Sequence, residues 1–156
     1  MENKNNNEEG YFTQRIELKL IREDSDYKYT SQKVQTDTEA YELFKAMEDD
    51  PREKMVILYL DIGQKVIGYN INSVGGIDRS DVYIRHIVTT ALLANAKGII
   101  LYHNHPSGDC TPSEPDIETT KRIKDVCKLM NITVYDHIII GEDNYYSFAA
   151  NNLLQL

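Results

Sequence analysis

Apolar and polar positions change period several times along the chain. Residues 1–10, MENKNNNEEG, hold too little apolar content to offset the entropy of ordering them, and a disordered tail is expected there. Phe12, Ile16, Leu18 and Leu20 then alternate loosely with Gln14, Glu17 and Lys19, which predicts a half-buried strand over residues 11–21. A second strand is expected over 27–34. Thr36-Asp37-Thr38-Glu39 has the form of a capping box, and Ala40, Leu43, Phe44 and Met47 follow at helical spacing. The helix should run to about Asp49, with Pro51 marking its end.

From residue 51 the rhythm is strand, turn, strand, helix, strand, helix, strand. Residues 54–60 form an apolar-rich strand, Gly63-Gln64 a turn and 65–74 a second strand, a hairpin that ends at Gly75-Gly76. Ser80 is placed to cap a helix that buries Ile84, Ile87, Val88, Ala91 and Leu92 and closes near Gly98. The run 98–102, GIILY, reads as a buried strand. Ser113 is placed to cap a second helix carrying Ile117, Ile123, Val126, Cys127 and Met130. A strand over 133–140, a turn over 141–144 and a short strand over 145–148 complete the order. The sum is an α/β fold, a three-layer-like αβ sandwich on a mixed sheet. It divides into the tail 1–10, strands and a helix over 11–50 that pack on the core, and a main domain over 51–150.

Length and charge narrow the classes. A chain of 156 residues suits one domain with a core that needs no staples. The formal net charge of −8 opposes general affinity for a polyanion, so direct nucleic-acid binding would need a local basic patch. Neither a membrane-length apolar run nor a signal-peptide core is visible, and a cytoplasmic location without membrane partners is expected. In that compartment Cys110 and Cys127 read as reduced thiols.

The chemistry concentrates in residues 103–116, HNHPSGDCTPSEPD. His103 and His105 follow the strand at i, i+2, so both imidazoles leave one face and one cation could take both. Ser113 and Asp116 admit two readings. Ser-x-x-Asp resembles a capping box, in which neither residue need touch a metal. Alternatively, a carboxylate in the first turn of a helix facing the histidine strand is placed as a third ligand, with a fourth position left to water.

His103-x-His105, seven residues, Ser113, two residues, Asp116 resembles the signature of the JAMM (JAB/MPN) metalloprotease domain. His103-Asn104-His105-Pro106-Ser107-Gly108-Asp109, Thr111-Pro112-Ser113 and Asp136-His137-Ile138-Ile139-Ile140-Gly141 are similar to its RadC branch, over about residues 52–148. The resemblance implies a cytidine-deaminase-like αβ sandwich. It also implies Zn2+ held by His103, His105 and Asp116, Ser113 steadying an oxyanion, and Glu53 as general base, in peptide or isopeptide hydrolysis. Glu53 also reads as a solvated charge in the 49–54 turn, and Asp136-His137 as a support behind the metal or a purely structural pair. Ile84-Arg85-His86 stands where RadC proteins usually have Pro-Arg-Glu, so the role of that glutamate is absent or passes to His86. Residues 1–50 lack the glycine-hairpin pattern of the DNA-binding segment in longer RadC proteins, so the family's DNA-repair label finds weak support.

Two function classes remain open at this level. One is a zinc-dependent metallohydrolase acting on a peptide or protein substrate that the sequence does not specify. The other is a non-catalytic, DNA-repair-associated interaction module with structural metal or none, distinguished by whether Glu53 reaches the metal's water. A nucleobase deaminase would need His-x-Glu and Pro-Cys-x-x-Cys, and neither is present. Cys110 lies within the motif loop without an assigned role, and oligomeric state leaves no trace in the sequence.

Overall fold

The apolar run at 54–60 becomes β1 (Lys54–Leu60), and its hairpin partner becomes β2 (Val66–Val74). These open the computed structural model, which describes residues 15–25, 33–75 and 81–155. Helix α2 (Asp81–Leu93) leads to β3 (Gly98–Asn104), helix α3 (Glu114–Leu129) to β4 (Thr133–Ile140), and a tight turn to β5 (Tyr145–Ser147). The five strands form one mixed sheet in the order β2-β1-β3-β4-β5, antiparallel except for β3 against β4. The parallel pair is joined through α3, as a crossover connection requires.

Both faces of the sheet are covered, so the central strands read as continuous apolar runs rather than alternating ones. Helix α1 (Asp37–Phe44), followed by a 3₁₀ turn at Lys45–Asp49, packs Ala40, Tyr41, Phe44 and Met47 against Val56, Leu58, Ile100, Tyr102, Ile138 and Ile140. On the opposite face α2 and α3 supply Ile87, Ala91, Ile123 and Cys127 against Ile57, Tyr59, Ile99 and Leu101. Each fully buried Ile or Leu here contributes about 1.5–3 kcal/mol relative to exposure. Three helices therefore lie on a five-stranded mixed sheet, in three layers.

Most expected elements form, with local departures. The capping box at Thr36 is complete, but the α-helix stops at Phe44 and tightens to 3₁₀ through Asp49. Asp50 precedes Pro51 and is extended (φ −80°, ψ 121°), as the proline ring demands of its neighbour. The strand expected over 11–21 is a correction where the structure describes it. Residues 15–25 hold no regular structure, with Ile16 85% and Ile21 81% exposed. Loose alternation supplies one apolar edge but no ladder partner, and a lone strand has no means of satisfying its backbone. Of the strand expected over 27–34, Lys33 makes a single antiparallel bridge to Lys65 and Val34 is buried, while 27–32 lie outside the described residues. The tail 1–10, the Ser80 cap and Gly76 lie outside them too. Leu92 and Met130, expected on buried faces, are exposed, because α2 ends at Leu93 and α3 at Leu129, so both residues sit where the helices leave the sheet. Cys110 and Cys127 are free thiols.

Gly141 shows how the sheet fixes the loop that follows β3. That loop leaves β3 with His105 N–H donating to the Ile140 carbonyl (2.9 Å), and Glu142 N–H donates to the Gly108 carbonyl (3.0 Å). A Cβ on Gly141 would overlap the Gly108 carbonyl oxygen and stand 3.0 Å from the Cys110 nitrogen. Backbone cannot yield as a side-chain tip can, so Gly141→Ala should lift the 105–110 loop. Overpacking of this kind costs about 1–3 kcal/mol. Thermal unfolding should show a lower Tm in Gly141→Ala, and an unchanged Tm would mean that the loop does not pack on β4 as described.

Candidate metal centre

The end of β3 brings the motif together. His103, paired with Met55 on one side and Ile139 on the other, points to the α2/α3 face and is wholly buried. His105 follows on the same side of the pleat, and Asn104 between them points the opposite way. Ser113 caps α3, which sets Asp116 in the first turn, 2% exposed, against both imidazoles. The capping box is complete in both directions, and the Ser113 hydroxyl also donates to Asp116 Oδ2 (2.6 Å).

Three ligand-type side chains are in mutual contact. His103 Nε2 and His105 Nε2 are 2.8 Å apart, with Asp116 Oδ1 3.3 Å from the first and Oδ2 3.5 Å from the second. Ligands bound tetrahedrally at about 2.0–2.1 Å stand about 3.3 Å from one another, so the set matches a small divalent ion in spacing and in donor type. Glu53 is the fourth partner: it, His103 and His105 each bring one ligand atom within 4.8 Å of the others. A cleft of about 300 Å3, with Glu48, Asp49, Glu142 and Asp143 on its walls, runs up to His105.

The electrostatics favour a positive charge at this point. Burial alone would raise the Asp116 pKa, but the adjoining His103 and His105 imidazoles and the Ser113 hydroxyl outweigh it and hold the carboxyl well below the usual carboxylate range. The same carboxylate raises the pKa of His105, against the opposing effect of burial. His105 Nδ1 lies 2.6 Å from the Asp109 carbonyl, which can only accept, so this nitrogen carries a hydrogen and Nε2 is the one turned to the centre. A metal ion would compete with a proton for that nitrogen.

A sequence profile of the RadC-like JAB domain matches residues 34–153. The chain belongs to this family. The match begins at Val34 and so takes in α1. Two similar relatives are UPF0758 proteins from Histophilus somni strains 2336 and 129Pt, each 44% identical over 113 residues. That alignment covers 72% of this chain and 51% of each relative, so the chain spans about half the length of the curated relatives it matches. Among the described residues, no helix is long and apolar enough to cross a membrane.

Two contributors to this JAB-domain centre escape the sequence reading. Asn104 is 1% exposed, and its side chain fastens the loop that carries Glu53. Its Oδ1 accepts from Lys54 N–H (2.8 Å), and its Nδ2 donates to the carbonyls of Asp50 and Arg52 (both 3.1 Å). An Asn inside a strand-ending apolar run was the available signal, since a buried amide needs partners for all its groups. Thr120 lies behind the histidines on α3, with nothing in its helical position to distinguish it from a buried core threonine. His86, in the place of the usual family glutamate, is exposed on α2.

Removing the Asn104 side chain leaves a partly buried donor and two acceptors without partners, at about 1–3 kcal/mol for an unsatisfied buried group. Asn104→Ala should therefore lower the unfolding free energy from a urea titration by that amount. It should also expose the 50–54 backbone to amide hydrogen exchange, while the α3 core stays protected. Equal protection of residues 50–54 in both proteins would refute the fastening role.

Proposed function

We propose that this domain is a zinc-dependent hydrolase of peptide or isopeptide bonds, with His103, His105 and Asp116 holding the ion and Glu53 acting as general base. The observation that carries the reading is the convergence of two imidazole nitrogens and one ionised carboxylate at 2.8–3.5 Å, beside a second carboxylate that is half-buried. Two imidazoles and a carboxylate form the donor set of catalytic rather than structural zinc sites. When bound, the ion would polarise a carbonyl and lower the pKa of a water to about 7.

The division between the carboxylates follows from their surroundings. Asp116 is nearly sealed, capped by Ser113 and in touch with both imidazoles, which suits a ligand that keeps its charge. Glu53 is half-buried on the loop before β1, within reach of both imidazoles, which suits a base that accepts a proton and returns it to a departing amine. Ser113 orients Asp116 through the 2.6 Å hydrogen bond, and its hydroxyl reaches an oxyanion only by leaving that bond. A DNA-repair role belongs to the same level of proposal, and the chain's net charge of −8 gives it no electrostatic support.

The test is metal content and hydrolysis measured on the same preparations. Wild type should hold about one zinc per chain, and His105→Ala and Asp116→Ala should lose it. Glu53→Gln should keep the zinc and lose about 10²–10⁴-fold of any peptide or isopeptide cleavage. Zinc retained in Asp116→Ala but lost in Glu53→Gln would exchange the two carboxylate roles. A zinc-loaded wild type no faster than Glu53→Gln across a peptide and isopeptide panel would favour an interaction module with structural metal.

A further inference from the structure

Behind the candidate centre runs a hydrogen-bonded line of side chains that the hydrolytic reading does not use. Thr120 Oγ1 lies 2.6 Å from the backbone carbonyl of Asp116 and 2.6 Å from His137 Nδ1. His137 Nε2 lies 2.7 Å from His103 Nδ1, and His103 Nε2 faces His105 Nε2 at 2.8 Å. Thr120, His137 and His103 are all buried, so no solvent can substitute for a missing partner.

The direction of every bond in this line follows from its first atom. A carbonyl only accepts, so the single hydroxyl hydrogen of Thr120 goes to Asp116 and the oxygen is left to accept from His137. His137 must then carry its hydrogen on Nδ1. The ring is wholly buried with Thr120 and His103 at its two nitrogens and no carboxylate on either, which leaves Nε2 bare to accept. That nitrogen accepts from His103 Nδ1–H, so the His103 Nε2 is bare as well. With the opposite tautomer, His103 would donate its Nε2–H to His105 and the two rings would close on each other without need of a cation.

We propose that the Thr120 hydroxyl, acting through His137, fixes the tautomer of His103 and so presents a bare Nε2 to a metal ion. Thr120 and His137 are positioning residues. Two features hold the intermediate ring in place. The ring stacks on Phe148 (centroids 4.7 Å apart, planes at 24°), and the backbone N–H of His137 donates to the buried Asp136 carboxylate at 2.7 Å. Only the consequence for metal affinity rests on the zinc reading above; the tautomers follow from the hydrogen bonds alone.

The experiment is long-range proton–nitrogen correlation NMR on the histidines of the full, metal-free chain, followed by zinc titration against a competing chelator. Wild type should show Nδ1–H tautomers at His103 and His137. Thr120→Val, which keeps the shape and removes the hydroxyl, should populate Nε2–H at both rings and bind zinc about 10–100-fold more weakly. Thr120→Ser should restore both. An Nε2–H tautomer at His103 in the wild type overturns the proposal, and so do unchanged tautomers and zinc affinity in Thr120→Val. Because the wild-type spectrum is decisive by itself, a poorly folded valine variant leaves the proposal exposed to refutation. A wild type with the expected tautomers but no zinc binding would count against the metal centre and leave the relay standing.

Discussion

The pleat of β3 is the constraint on which the centre is built. Successive side chains leave a strand on opposite faces, so in His103-Asn104-His105 the two imidazoles face α3 while the amide between them faces the 50–54 loop. One tripeptide thereby does two structural jobs. It aims two nitrogens at Asp116, and it anchors the segment that carries Glu53 through three hydrogen bonds to Lys54, Asp50 and Arg52. A slip of one residue in the β1–β3 register would exchange these faces, and β3 lies central, paired on both sides from Gly98 to His103.

The capping box and the carboxylate ligand first stood as rival readings of Ser113 and Asp116. The two readings are compatible in one arrangement. The bonds that close the box, Ser113 N–H to Asp116 Oδ2 (2.7 Å) and Asp116 N–H to Ser113 Oγ (3.3 Å), leave Oδ1 directed at His103. The start of α3 also favours negative charge, through its unpaired N–H groups. The cap thus holds a buried carboxylate in its ionised form before any cation arrives, so part of the cost of assembling the centre is met by folding the helix.

How much of this was legible in the sequence depends on the range over which each signal acts. The strands and α3 were readable because burial on both faces of a sheet and capping at Ser113 are properties of contiguous residues. The segment at 15–21 misled because alternation is only half of a strand, and its missing half is a partner edge elsewhere in the chain. Leu92 and Met130 misled in a milder way, as the last apolar positions of helices that had already left the sheet. Asn104 showed only as a polar residue ending an apolar run and Thr120 not at all: their partners stand about 50 and 17 positions away, and only the fold brings them within reach.

The polar set at the end of β3 has a cost that bears on its purpose. His103, Asp116, Thr120, Asp136 and His137 are all buried, where an apolar set of the same volume would pack without desolvating any group. Asp136 illustrates the compensation required, since burial raises its pKa and three bonds, from Ser147 Oγ, Ala149 N–H and His137 N–H, oppose that rise. The histidine line is satisfied at every atom except where His103 and His105 turn their Nε2 atoms toward each other. In a network otherwise closed, the gap between those two nitrogens is the point at which an added positive charge, a proton or a metal ion, completes the structure.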